Sequence, residues 1–310
     1  MKSALLRASA ISCALLALTA CGGLPFGAAQ GRPAQDDTQS PIGTAHGRSW
    51  MLPAAKGSDL LYVSYFYGND VLAYTYPGGQ SVGEITGIPE AQGECTSKKR
   101  GGKWWVVATG ANEVLEFAHG GTTPILTINT MSDQPGSCAV DPTTGNVAVT
   151  MLTTSTVVVY TSGGIDGTTY TTPFEPFFCG YDPKGNLYID GSGSMVARLP
   201  HGGSSFESIT LNQSFIFPGG VQWHDDRLAI GDQDASNVYE FRIHGTSGTL
   251  EDTTPLTGGA AAGFWIQGKY VIAEDAGDIG IWNYPAGGSP FQTISAGFYG
   301  SIGATVSVAR

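Results

Sequence analysis

Five carboxylates recur where short apolar runs end: Asp190, Asp232, Asp234, Glu274 and Asp275. Brought to one mouth together with Glu94 and Glu175, they would suit a divalent cation such as calcium, an amine or sugar hydroxyls. A hard cation takes several oxygen donors at once. The ligand-binding set expected from this pattern is Glu94, Asp190, Asp232 and Glu274. The competing reading is that each acid accepts N–H bonds from its own turn. Sulfur chemistry is offered by Cys95, Cys138 and Cys179, and imidazole chemistry by His119, His201 and His244.

The elements that must position these groups are short and repeated. Apolar runs recur as Leu61-Tyr62-Val63, Trp104-Trp105-Val106, Val147-Ala148-Val149, Leu187-Tyr188-Ile189, Leu228-Ala229-Ile230 and Tyr270-Val271-Ile272. Their first residues lie 43, 43, 40, 41 and 42 positions apart. A second strand follows each, ending at Tyr74, Phe117, Tyr160, Leu199, Phe241 or Trp282. A Gly-containing turn, a Thr-rich strand and a small-residue strand complete the unit. Four strands in about 42 residues is the arithmetic of a propeller blade. No stretch of ten or more residues carries a helical period, which argues against βαβ units. The expected fold is therefore an all-β, six-bladed β-propeller of four-stranded antiparallel blades over 47–310. Trp50 to Gly57 is expected to supply the small-residue strand that closes the ring.

A ring constrains the chemistry. The three cysteines fall in one repeat register, and equivalent positions point the same way round a ring rather than at one another. A disulfide needs Cα atoms within about 7 Å and converging Cβ vectors. Buried thiols filling tight inner-strand space are thus expected over a disulfide, although an oxidising compartment would allow one. The three histidines sit at equivalent outer turns and cannot share a metal, so they read as surface turn residues. No histidine stands near a serine or cysteine in the repeat register, and no catalytic residue is assigned. Tyr65, Phe66, Tyr67, Trp223 and Trp265 either add aromatic surface to the acidic face or pack between sheets.

Gly136-Ser137-Cys138-Ala139-Val140-Asp141-Pro142, running on to Gly145-Asn146-Val147-Ala148-Val149, resembles the NHL-type propeller unit, in which the strand before the Asp is the innermost of its blade. Among enzymes of this architecture, the gluconolactonase-like family is the comparison the fold suggests. The resemblance implies a metal held by Glu, Asn and Asp at the starts of inner strands. The matching positions are Glu94, Ser137, Phe178, Gly220, Ala262 and Ser301, of which only Glu94 could be a ligand. No metal site is therefore carried over.

At the N-terminus, Lys2 and Arg7 precede an apolar run, Ala8 to Leu18, that is too short to span a bilayer and reads as a signal peptide. Leu18-Thr19-Ala20-Cys21 resembles the bacterial lipobox, which implies cleavage after residue 20 and acylation, of the palmitate type, at Cys21. Residues 21–46 read as a Gly-, Ala-, Pro- and Gln-rich tether. Gly22 and Gly23 stand where aspartate would favour inner-membrane retention, so the outer membrane is favoured in a Gram-negative envelope. Loss of residues 1–20 removes two basic residues, leaving 13 Lys and Arg against 26 Asp and Glu, or −13. That balance excludes a nucleic-acid footprint and leaves the lipid as the membrane link. The leading expectation is a monomeric, non-catalytic binding scaffold for a small molecule or an envelope protein. The alternatives are a metal-dependent, lactonase-like hydrolase or lyase and an envelope structural protein.

Overall fold

The computed structural model describes residues 48–97, 102–131, 133–295, 297 and 300–309, with backbone only for 301 and 302. The expected signal peptide, Cys21 and the expected tether of 21–46 lie outside the described residues.

The described chain is built of strands, with no α-helix among the described residues. After β1 (Trp50–Met51) come β2 (Leu60–Tyr65), β3 (Asp70–Thr75) and β4 (Ser81–Thr86). The next meander is β5 (Ala91–Thr96), β6 (Trp104–Ala108), β7 (Glu113–Phe117) and β8 (Leu126–Asn129). It is followed by β9 (Pro135–Val140), β10 (Val147–Met151), β11 (Thr156–Tyr160) and β12 (Gly167–Thr171). Then come β13 (Pro176–Tyr181), β14 (Leu187–Gly191), β15 (Met195–Leu199) and β16 (Glu207–Leu211). β17 (Pro218–His224), β18 (Arg227–Asp232), β19 (Asn237–His244) and β20 (Ser247–Pro255) form a longer-stranded meander. The last strands are β21 (Gly259–Gln267), β22 (Tyr270–Asp275), β23 (Asp278–Asn283), β24 (Gln292–Ile294) and β25 (Ser301–Ser307).

Each meander is an antiparallel blade, and the blades form a β-propeller. The expectation of separate four-stranded sheets meets one difference. β13–β16 and β17–β20 are joined into an eight-stranded sheet, because Thr210 and Leu211 pair in parallel with Ser247 and Gly248. The extra length of β19 and β20 carries that edge out to its neighbour.

Ring closure also differs from the expectation. Trp50 and Met51 pair with Glu84 and Gly83 at the outer edge of the first blade, and Pro53–Gly57 is a 3-10 turn. The innermost strand of that blade is β25, paired with β2 from Leu60↔Ser307 to Tyr65↔Ser301. Inner strands need small residues near the axis, and Gly303 and Ala304 supply them where Trp50 could not. A side chain at Gly303 would run into the carbonyl of Gln92 at 2.3 Å.

The core lies in the seams between blades. Along β10, Val147, Val149 and Met151 face back toward Trp105 and Val107, while Ala148 faces forward toward Leu187 and Ile189. This is the two-residue period of a strand buried on both faces. In the first seam Trp104 is fully buried and stacked between Tyr62 and Phe117, with ring centroids 3.9 and 4.8 Å away. Truncating such a residue to Ala typically costs about 3–5 kcal/mol. At the far end of β9 the NHL-like turn is set by Asp141, whose Oδ1 accepts the Thr143 N–H at 2.8 Å and whose Oδ2 accepts the Thr144 hydroxyl at 2.6 Å. Gly145 then takes φ of 80°, which a side chain disfavours.

Candidate functional site

Every blade's inner strand bulges near its start, and the bulge decides which way the chemistry-bearing residues face. In β9 the pairing steps from Pro135↔Met151 to Cys138↔Val149, so Gly136 and Ser137 together oppose a single residue, Thr150. β13 steps from Pro176 to Cys179 in the same way, and β5 from Ala91 to Glu94. The N–H groups in these bulges lose their ladder partners. Three blades replace them with a side chain from the second strand: Ser64 accepts from Gly303 at 2.7 Å, Thr150 from Ser137 at 2.9 Å, and Asp190 from Phe178 at 2.9 Å.

The four acids expected to bind ligand occupy different settings. Asp190 is fully buried, with Oδ1 on Phe178 and no partner for Oδ2, and burial pushes its carboxyl well above the usual range. Asp232 is also fully buried but well bonded: it accepts N–H bonds from Ile216 at 2.8 Å and from Phe217 and Ala235 at 3.2 Å. Glu274 is half-buried, and burial raises its pKa. Glu94 is 9% exposed, neither oxygen has a hydrogen bond, and burial raises its carboxyl well above the ordinary value.

Register explains the scatter. Asp275 pairs with Gly259 as Asp232 pairs with Pro218, so the repeat in the last blade starts at Val271, one residue later than the sequence spacing suggests. Asp190 and Glu274 therefore share one strand position and Asp232 and Asp275 the next, on opposite faces of their blades. Glu94 pairs with Val106 as Cys138 pairs with Val149 and Cys179 with Ile189. Its equivalents are thus Cys138, Cys179, Val221 and Ala304, rather than Ser137, Phe178, Gly220 and Ser301. The corrected set still brings no oxygen ligand to join it. Among the described residues no group of three or more His, Cys, Asp or Glu is placed to hold a metal.

The same one-residue offset corrects the expectation of free thiols. Cys95 pairs with Trp105, one position beyond the register of Cys138 and Cys179. It turns forward as Cys138 turns back, both within one buried cluster. The two form a disulfide with Cα atoms 5.7 Å apart, joining neighbouring inner strands. Cys179 remains a buried free thiol whose pKa burial pushes up to about 12. His201 and His244 are exposed turn residues, but His119 is half-buried. Its Nε2 donates to the Ser58 carbonyl at 3.1 Å and its Nδ1 accepts the Ser307 hydroxyl at 2.8 Å. It thus helps to hold the closing strand, and burial lowers its pKa.

What the inner strands do gather is an axial cavity of about 140 Å³, walled by β5, β9, β13, β17, β21 and β25. Phe178, Trp223, Phe264 and Trp265 give it aromatic walls; Ser137, Thr96, Gln222 and the buried carboxyl of Glu94 give it polar ones. Trp223 and Trp265 stand toward the ends of β17 and β21, away from the loops that carry the acids. Of the four acids expected to bind ligand, only Glu94 lines this cavity; Asp190, Asp232 and Glu274 lie on second strands, outside its lining.

No protein-family model matches the chain, and no curated protein matches it. Solved structures do. A chain in the crystal structure of a nidogen/laminin complex superposes with TM-score 0.64 at 12% identity, over 82% of this chain and 100% of its own. A protein of unknown function from Bacteroides caccae gives 0.63 at 12% identity, over 81% and 99%. A virginiamycin B lyase from Staphylococcus aureus gives 0.47 at 14% identity, over 62% and 67%. At these identities the likeness is one of fold. The chain is an all-β propeller.

Proposed function

We propose that the chain is a lipid-anchored, extracytoplasmic propeller of six blades that acts as a non-catalytic binding scaffold. The observation that carries the binding reading is the axial cavity, whose aromatic walls and few polar groups are the usual composition of a small-molecule site. Counting the two meanders of the eight-stranded sheet separately supports the six-blade reading. The Cys95–Cys138 disulfide supports an oxidising compartment, in keeping with the lipobox-like segment at Cys21. The outer membrane is the favoured site of anchorage in a Gram-negative envelope. A similar fold in a nidogen/laminin complex supports a propeller working by binding.

Native mass spectrometry of the protein extracted gently from its own envelope tests the reading. The expected result is a small molecule retained at near-unit stoichiometry and lost on Trp223→Ala. Metal-dependent turnover of lactones by the purified chain would replace it with the hydrolase reading. Cys21→Ala tests the anchor separately: the variant should leave the membrane fraction after a salt wash while the propeller stays folded.

A further inference from the structure

Strand direction sorts the loops of the propeller onto two faces. Inner strands run the same way, so the loops leading into them share a face with the loops joining second to third strands. Charge divides between the faces. On this entry face no described loop residue is Lys, Arg or His, while Glu90, Asp133, Glu175 and Asp234 all retain exposure. Lys56, Lys103, Lys184, Arg227 and Lys269 stand instead before or at the start of second strands, at the opposite end. Arg198 and Arg242 lie in the far halves of third strands, and Arg48 lies ahead of the outer-edge strand β1. The entry face is therefore negative, and its field attracts cationic partners.

One arc of this face joins the charge to exposed apolar side chains. The Ser194 hydroxyl donates to the Phe215 carbonyl at 2.8 Å, which holds the β14–β15 loop against the loop leading into β17. Met195 and Ile216, each one residue beyond that contact, are 44% and 70% exposed. Both loops are pinned on their outer sides as well. The Ser192 N–H bonds the Glu175 carbonyl at 3.0 Å, and buried Asp232 accepts the Ile216 N–H at 2.8 Å. These bonds set exposed Glu175 at one end of the arc and, two residues past Asp232, exposed Asp234 at the other. The order along the arc is acid, apolar pair, acid.

That order selects the partner. Met195 and Ile216 gain when an apolar surface covers them, and pinned loops lose little freedom in the process. Methionine adapts its shape to varied apolar partners. Acids at both ends repel anionic lipid and nucleic acid, and a bare metal ion leaves the apolar pair uncovered. A helix with lysines or arginines beside its apolar stripe meets both demands at once. We propose that this arc docks a basic amphipathic segment of another polypeptide. Its apolar side chains cover Met195 and Ile216, and its cations pair with Glu175 and Asp234. The surface lies apart from the axial cavity and goes beyond the reading made of it.

Fluorescence anisotropy on the full chain in nonionic detergent, with protein-free detergent as background, tests this. The probe is a labelled amphipathic helix of leucine and lysine; one control peptide carries glutamate for lysine, another serine for leucine. Saturable binding of the probe alone, weakened by added salt, is expected. Met195→Ser with Ile216→Ser, and separately Glu175→Gln with Asp234→Asn, should each weaken it at least tenfold. Ile165→Ser with Asp166→Asn, an exposed pair in the β11–β12 turn at the other end, should leave it unchanged. All these side chains are exposed, so folding is kept. No saturable binding, equal binding of the glutamate peptide, or unchanged affinity in either arc variant would overturn the proposal. So would a dimer in sedimentation that Met195→Ser with Ile216→Ser dissolves, which would give the arc to a second copy of the chain.

Discussion

Strand β5 carries Glu94 and Cys95 side by side, and the two faces of the strand meet opposite fates. Cys95 turns toward β9 and is bonded covalently to Cys138. Glu94 turns the other way, into the seam with the first blade beside Tyr62, and its carboxyl finds no hydrogen bond. One residue along the chain separates a closed seam from one that holds an unpaired acid. A strand buried on both faces therefore has no neutral position for a polar side chain, which must be either partnered or held uncharged. Asp232 shows the first outcome with its three backbone donors, and Glu94 the second.

The comparison can be broken most forcefully on the bonded face. The disulfide spans 43 residues, for which the chain-entropy model gives about 4 kcal/mol. Cys95→Ser combined with Cys138→Ser should lower the urea-unfolding free energy by about that amount, and reductant should bring the wild type to the same value. Indistinguishable curves with and without reductant would show that the bond does not form.

The acid face should respond in the opposite direction. Burial raises the Glu94 pKa above its ordinary 4.5, so the native state holds the proton more tightly than the unfolded chain. Its contribution is fully present below that ordinary value and is lost as pH rises through the folded pKa. Glu94→Gln, which cannot ionise, should therefore raise Tm at pH 8, by about 2–4 °C per kcal/mol relieved, and change it little at pH 4. A Gln variant less stable than wild type at pH 8 would mean that the carboxylate has found a partner.

The smallest expected effect sharpens the comparison at the neighbouring strand. Thr150→Val keeps the shape but removes the acceptor for the Ser137 N–H in the β9 bulge and the donor to the Phe177 carbonyl. A loss of about 1–2 kcal/mol is expected, measured by urea denaturation at neutral pH. No loss would mean that water replaces the hydroxyl.

The repeat itself was legible because a blade cannot bury its faces alone, so apolar runs had to recur at blade spacing. Register within the blade was not. A bulge inserts one residue without leaving a composition signal, and one residue is enough to turn a strand side chain from one seam to the next. That is why Cys95 and Cys138 share a repeat spacing in the sequence yet face each other across a seam, and why Tyr270 stands at the spacing where Val271 belongs. Asp190 and Asp232 were visible as acids at strand ends, but only their donors distinguish a bulge acceptor from a turn cap. Met195 and Ile216 lie in separate loops, and nothing in the spacing marks them as one exposed pair.

The closing strand has a consequence for how the molecule is made. β2 waits for β25, and the Ser64 hydroxyl waits for Gly303, a partner 239 positions further along the chain. Until Ser301–Ser307 has been synthesised, the ring stays open and the bare edge of β2 is free to pair with another chain. A copy lacking Ser301–Ser307 would keep most of its blades yet become adhesive to its own kind. Quality control of this protein would thus turn on its closing strand, as a necklace depends on its clasp.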